Sequence, residues 1–317
     1  MKEFTECLRA VVKHSRLPQS VALSLPDICG RTTILTFPSF PAKQSEQDSV
    51  VRWRFQQDMN VVTDKTRFAY RTVAASKHQT HPRHILATAV QHDIIEQYEE
   101  ACLAVGLLPN SVGLSGLDVC DFYQTHGPIF GRQSKHQSGN SNHESLFLYL
   151  ANWGFSFIAF RKADPIFLRV KTLPIPRFSQ HTAQSDQTTT VPDDETRDNA
   201  SLQENSSQHL QHYTSAHLNT VSNELVATLQ YYFESHQYER VDNAPIPFYF
   251  AEGLCHGNEL FPTEDSIKTM LNATILRPPP LSIMKVADTL PPKTKVALMK
   301  ASSQMNSISA LASVAVI

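Results

Sequence analysis

HILATAVQHDIIEQYEEACLAVGLLPNSVGLSGL, residues 84–117, changes hydrophobic period twice within one short stretch. HILATAV (84–90) is an apolar run with β-branched content and predicts a strand. In the segment that follows, Ile95, Tyr98, Cys102 and Val105 fall on one helical stripe, and Gly106 is placed to stop the helix. SVGL (111–114) then predicts a second short strand, followed by a helix through Leu117, Val119 and Phe122. Strand, helix, strand, helix at this spacing is the signature of an α/β layer.

Upstream, Phe4, Cys7, Leu8, Val11 and Val12 predict an amphipathic helix over 3–14, ended by Pro18. SVALSLP (20–26) alternates Val21, Leu23 and Leu25 and reads as a strand, with RTTILTF (31–37) as its neighbour. Ser45 is a candidate cap for a mixed-face helix carrying Val50, Val51, Trp53, Arg54 and Phe55. RFAYRTVA (67–74) is a further strand.

Downstream, residues 126–143 are rich in Gly, Ser, Asn and His and read as a loop between lobes. A meander follows: LFLYL (146–150), FSFIAF (155–160) and PIFLRVKTL (165–173). From about 174 to 215 the chain is Ser, Thr, Gln, Asn and Asp with hardly an apolar residue. Such a stretch cannot offset its ordering entropy and is expected to be disordered. Val221, Leu225, Leu229, Tyr232 and Phe233 then predict a strong helix. PFYFA (247–251) predicts a strand, with a helix near 262–272, a Pro-rich connection at 278–280 and a terminal helix closing the chain.

Composition narrows the function classes. At 41% hydrophobic and 18% charged, the chain can bury a sizeable core, as one large domain or two lobes. A formal net charge of -2 gives no broad attraction to nucleic acid or anionic lipid. No run of about eighteen apolar residues predicts a spanning helix, and the opening residues do not read as a secretory signal. Cys7, Cys29, Cys102, Cys120 and Cys255 are scattered singly. They read as buried thiols of a cytoplasmic protein, not as a disulfide framework or a zinc site.

Taken in order, several segments resemble the PilM branch of the actin-like superfamily, with its relatives in mannose-sensitive pili and type II secretion. SVALSLPD (20–27) is similar to the family's strand ending in Leu-Pro, and SVVRWRFQQDMN (49–60) to the helix that begins its accessory subdomain. Residues 84–117 are similar to its strand, helix, Gly-Leu-x-Pro-like turn and crossover helix. SLFLYLANWGFSFIAFRKADPIFLRVKTL (145–173), NELVATLQYYFES (223–235) and PFYFAEGLCHGNEL (247–260) resemble the second lobe. The resemblance implies an α/β, actin-like (ribonuclease H-like) two-lobed fold with an incomplete first lobe. Its boundaries would be a first lobe at 1–125 with an accessory subdomain at about 38–83, an inter-lobe loop at 126–144, a second lobe at 145–173 and 216–317, and the polar insertion at 174–215.

The superfamily grips ATP between its lobes with glycine-rich hairpins and an acidic residue near the metal. Glycine is needed where backbone N–H groups must approach phosphate oxygens. The first such hairpin, a strand with Asp-x-Gly, is not found before SVALSLP. At the second, the chain has Tyr149-Leu150-Ala151-Asn152-Trp153-Gly154, with an aromatic in place of the carboxylate. Gly154 reads first as a tight hairpin turn. The adenosine-side turn is Ala251-Glu252-Gly253-Leu254, where Glu252 would crowd a nucleotide. Neither ATP nor magnesium is therefore expected as a cofactor, no catalytic residue is assigned, and the chain reads as a pseudo-ATPase.

The resemblance also implies a partner: in PilM-like proteins the cytoplasmic tail of a PilN-like inner-membrane protein docks beside the accessory subdomain. Trp53 and Phe55, flanked by Arg52 and Arg54, are candidates to meet it, since Trp and Arg are enriched at interface hot spots. Core packing with snorkelling cations is the alternative. His78, His81 and His84, broken by Pro82, read as a solvated loop and not a metal site, as do His209, His212 and His217. Neither Ser24 nor Ser115 sits in a nucleophile elbow.

The function expected is that of a non-catalytic scaffold of a type IV pilus or related secretion platform. It would be cytoplasmic, held to the inner membrane through a partner, and able to self-associate. The alternative is an ATP-binding actin-like protein whose true start lies upstream.

Overall fold

In a computed structural model the described residues are 1–14, 19–73, 83–126, 144–151, 153–161, 164–173, 219–236, 245–252, 264–274 and 280–285. The expected inter-lobe loop, the polar insertion, the terminal helix, His78, His81, Gly253 and Cys255 lie outside them.

The second half is organised by one five-stranded sheet. Strands β6 (Glu144–Ala151), β7 (Gly154–Arg161) and β8 (Asp164–Thr172) form the predicted antiparallel meander. Strand β9 (Ile246–Glu252) pairs parallel with β6, and β10 (Leu281–Lys285) parallel with β9, giving the order β10-β9-β6-β7-β8. β6 and β7 are buried almost throughout because both sheet faces are covered, so they read as continuous apolar runs. Leu146, Leu148, Leu150, Phe155, Phe157, Phe248 and Phe250 face helix α5 (219–236), which contributes Val221, Leu225, Leu229 and Tyr232. Each such side chain contributes roughly 1.5–3 kcal/mol on burial. Ile267 of α6 (Glu264–Thr274) joins the same cluster.

Phe147, Tyr149, Ile158, Phe160 and Tyr249 face the other way. They meet Val119, Cys120, Phe122 and Tyr123 of α4 (Ser115–His126), a helix that arises in the first half of the chain. The two halves are thus packed through α4.

The first half has two small sheets. β1 (Ser20–Leu25) and β5 (Leu108–Leu114) pair in parallel and pack on α3 (His92–Leu103) through Leu25, Leu114 and Ile95. α1 (Lys2–His14) lies on α3, with Phe4 edge-on to Tyr98 at 5.0 Å. β2 (Gly30–Phe37), β3 (Thr66–Val73) and β4 (Arg83–Gln91) form an antiparallel sheet in the order β2-β4-β3. Leu35, Phe37, Ile85, Ala87 and Ala89 make one face, which α2 (Gln44–Met59) covers with Val51 and Phe55.

Several expectations need correction. RTTILTF is a strand, but its hydrogen-bonded neighbour is β4 and not SVALSLP. The β1–β2 connection makes a 3-10 turn at Asp27–Cys29, and β2 enters the other sheet. Ser45 does not cap α2, whose N-cap is Lys43 without a side-chain bond. The antiparallel sheet runs from Gly30 to Gln91. LSIMK (281–285), which follows the Pro-rich connection at 278–280 and belongs to no element predicted from the sequence, is a strand with one buried leucine. Of the cysteines described, Cys102 and Cys120 are buried, but Cys7 is exposed and Cys29 half-buried.

Candidate functional site

Two places in this fold bear on function. The first is the end of the large sheet that carries the two turns singled out in the sequence. Open α/β sheets bind ligands beyond the carboxyl ends of their strands, and the expected positions do converge there. Tyr149 of β6 stands beside Ala251 of β9, and Leu150 beside Glu252. Ala151 pairs with Gly154 across the hairpin, so Tyr149, Ala151, Trp153 and Gly154 share one neighbourhood. Trp153 is buried, its ring 6.4 Å from that of Tyr149, and it packs in the cluster that α4 closes. Its carbonyl accepts the Leu173 N–H at 2.9 Å. Gly154 has φ +143, and a Cβ there would stand 1.9 Å from the Lys171 carbonyl oxygen. This glycine is required by its own hairpin. The neighbourhood is filled by aromatic rings, those of Tyr149, Trp153 and Tyr249 among them.

The second place is a groove between the antiparallel sheet and the β5–α4 segment. β3 and β4 turn Arg67, Ala69, Arg71, Leu86, Thr88 and Val90 away from α2. Opposite stand Ile95 of α3, Val112, Gly113 and Leu114 of β5, and Leu117, Asp118 and Asp121 of α4. The space enclosed is about 280 Å³. Consecutive residues line it on both sides: Ala69, Tyr70 and Arg71 on β3, and Val112, Gly113 and Leu114 on β5. A strand presents consecutive residues only along its edge. Among the described strands β3 pairs with β4 alone and β5 with β1 alone, so each has an unpaired edge.

Two ion pairs tie the walls together. Arg67 reaches Glu99 of α3 at 2.7 Å, and Arg71 reaches both oxygens of Asp121 at 2.7 and 2.6 Å. Asp118 accepts the Ser24 hydroxyl at 2.8 Å, and burial pushes its pKa up to about 6. Behind it, Asp27 accepts the Gly116 N–H at 2.9 and 3.1 Å and the Ser156 hydroxyl. Its pKa also rises to about 6, because desolvation outweighs those hydrogen bonds.

The residues expected to meet a partner are set apart. Phe55 is fully buried under α2, edge-on to Phe68 at 5.1 Å. Trp53 is 60% exposed. Its neighbours fold back onto the protein: Arg52 stacks over Phe68 at 4.8 Å and Arg54 pairs with Asp58 at 3.0 Å. Both aromatics lie on the α2 side of the sheet, opposite the groove. The groove residues went unremarked in the sequence, although R-F-A-Y-R (67–71) carried a signal: arginines two pleats apart share one strand face. His84 hydrogen-bonds to Thr36 at 3.1 Å, and no group of metal-ligating side chains occurs among the described residues. No helix among them is long and apolar enough to cross a membrane.

Neither protein-family models nor curated proteins match the chain. Solved structures do. The PilM-PilN type IV pilus biogenesis complex superposes with TM-score 0.62 at 14% identity, over 98% of this chain and 83% of that one. Weaker likenesses are an actin-like ATPase-fold protein from Bacteroides thetaiotaomicron (TM-score 0.40, 7% identity, 85% and 70% covered) and the cytoplasmic domain of EpsL, an inner-membrane component of the Vibrio cholerae type II secretion system (0.37, 8%, 86% and 80%). The chain shares the fold of the structure superposed from the PilM-PilN complex.

Proposed function

We propose that this chain is a non-catalytic scaffold of a type IV pilus or related secretion assembly platform. In this reading it holds the cytoplasmic tail of a PilN-like inner-membrane partner in the groove between β3 and β5. One observation carries the reading: a largely apolar groove of about 280 Å³ bordered by two strand edges that are unpaired among the described strands. An extended peptide entering it would find N–H and C=O groups to pair with and pockets for alternate side chains, which is the physics of β-strand addition. Structural likeness to the chain of the PilM-PilN complex supports the same reading.

The pseudo-ATPase part rests on Trp153, whose buried indole stands where a triphosphate would need backbone access. The platform would work by shape alone, peripheral to the inner membrane through its partner. Trp53, exposed on the far face, is available for a second contact with the partner or with another copy, whereas Phe55 supports α2 from beneath.

The test has two arms on the full chain. Calorimetric titration with Mg-ATP is expected to give no heat, and micromolar binding would overturn the non-catalytic part. Affinity measurement against the partner's cytoplasmic tail is expected to show binding that Ala69→Trp abolishes by filling the groove. Undiminished binding by that variant would place the partner elsewhere.

A further inference from the structure

We infer that the segment held in this groove carries a basic side chain, lysine or arginine, directed at Asp118 and flanked by aliphatic residues. The inference rests on the groove reading above and specifies the chemistry of the occupant. The groove's floor is aliphatic, from Leu86, Val90, Ile95, Val112 and Leu114. Its two arginines are already committed, Arg67 to Glu99 and Arg71 to Asp121. Asp118 also lines the space, and among the described residues no cation pairs with it; its one side-chain partner is the neutral Ser24 hydroxyl. Among the described residues that line the groove, Asp118 is therefore the carboxylate left without a cationic partner, beside an aliphatic floor.

The fold makes room for that carboxylate. It lies against the bare Cα of Gly113, where an added Cβ would stand 2.2 Å from Oδ1. Its place in the first turn of α4 favours the anion through the helix dipole. Burial and nearby Asp121 oppose that, so the anion is held at a cost that an entering cation would relieve. A neutral apolar strand would instead bury the carboxylate further with no partner.

Two capped pentapeptides test this, Ile-Leu-Arg-Leu-Val and the same sequence with citrulline, the neutral isostere of arginine. Binding to the full chain at pH 7.5 is expected to favour the arginine peptide by about ten-fold, the scale of a charge-assisted hydrogen bond. Asp118→Asn is expected to erase that preference, bringing the two peptides to equal affinity. Ser24→Ala, which keeps the charge, is expected to retain the preference and serves if Asp118→Asn does not fold. Equal affinity of the two peptides for the unmodified chain would overturn the inference and leave the groove reading standing. Binding of neither peptide would remove the groove reading and this inference with it.

Discussion

Ser156, on the second strand of the large sheet, donates its hydroxyl to the carboxylate of Asp27, which lies in the turn between β1 and β2. The same carboxylate accepts the N–H of Gly116 at the start of α4. One buried side chain thus joins the β1–β2 turn, the helix that connects the halves, and the five-stranded sheet. Gly116 makes the approach possible, since a Cβ there would stand 2.1 Å from Asp27 Oδ2.

This contact sets a pH dependence. Burial raises the Asp27 carboxyl from its ordinary 3.8 to about 6, so folding favours its protonated form. Its favourable contribution is complete below the unfolded value and is lost as pH rises through about 6. Asp118 shifts the same way. Denaturant unfolding is therefore expected to show the chain more stable at pH 5.0 than at pH 7.5, by about 2 kcal/mol. Asp27→Asn should remove a large part of that difference. A variant whose stability changes between the two pH values as the parent's does would show that Asp27 contributes nothing to it.

How much of this was legible from sequence depends on where each signal is stored. The meander and α5 were readable because Phe155, Phe157, Leu225 and Leu229 declare their faces by period alone. The sheet partner of RTTILTF was not, because strand pairing depends on where the chain turns, and the 3-10 turn at Asp27–Cys29 redirects it. β10 was hidden by its brevity: five residues after a Pro run carry too little periodicity. That Tyr149, Trp153 and Ala251 would be neighbours was legible, and they share one buried cluster. The groove was not, because its walls come from β3, β4, α3, β5 and α4, and no local pattern records that juxtaposition.

Gly154 is constrained by geometry alone. Its φ of +143 excludes ordinary side chains, and any Cβ meets the Lys171 carbonyl oxygen. Gly154→Ala is expected to cost about 3 kcal/mol or more in urea unfolding, at the severe end for single substitutions. A loss below about 1 kcal/mol would mean that the β6–β7 hairpin relaxes freely.

Trp153→Ala separates packing from nucleotide chemistry. Removing a buried indole is expected to cost about 3–5 kcal/mol. The cavity it leaves would be lined by Tyr149, Tyr249, Ala151 and their neighbours. Calorimetry of the folded variant with Mg-ATP should remain flat. If heat of binding emerged on this one substitution, the indole would be an occluding plug over a competent site.

The ion pairs across the groove are geometric fasteners more than stabilisers. Arg71 and Asp121 are 50% and 32% exposed, so solvent screens much of their attraction despite the two short bonds. A double-mutant cycle with Arg71→Ala and Asp121→Ala is expected to give a coupling of about 0.5–1 kcal/mol at low salt. That coupling should fall further in 0.5 M NaCl, where the Debye length shrinks well below its physiological value of about 8 Å. The larger effect is expected on motion. Arg71 holds β3 to α4, and Arg67 holds the same strand to α3. With both arginines replaced by alanine, amide exchange along the unpaired edge of β3 should accelerate while β6 and β7, in the five-stranded sheet, stay protected. Uniform acceleration across both sheets would instead make these pairs part of the global stability of the protein and not a local control on the groove.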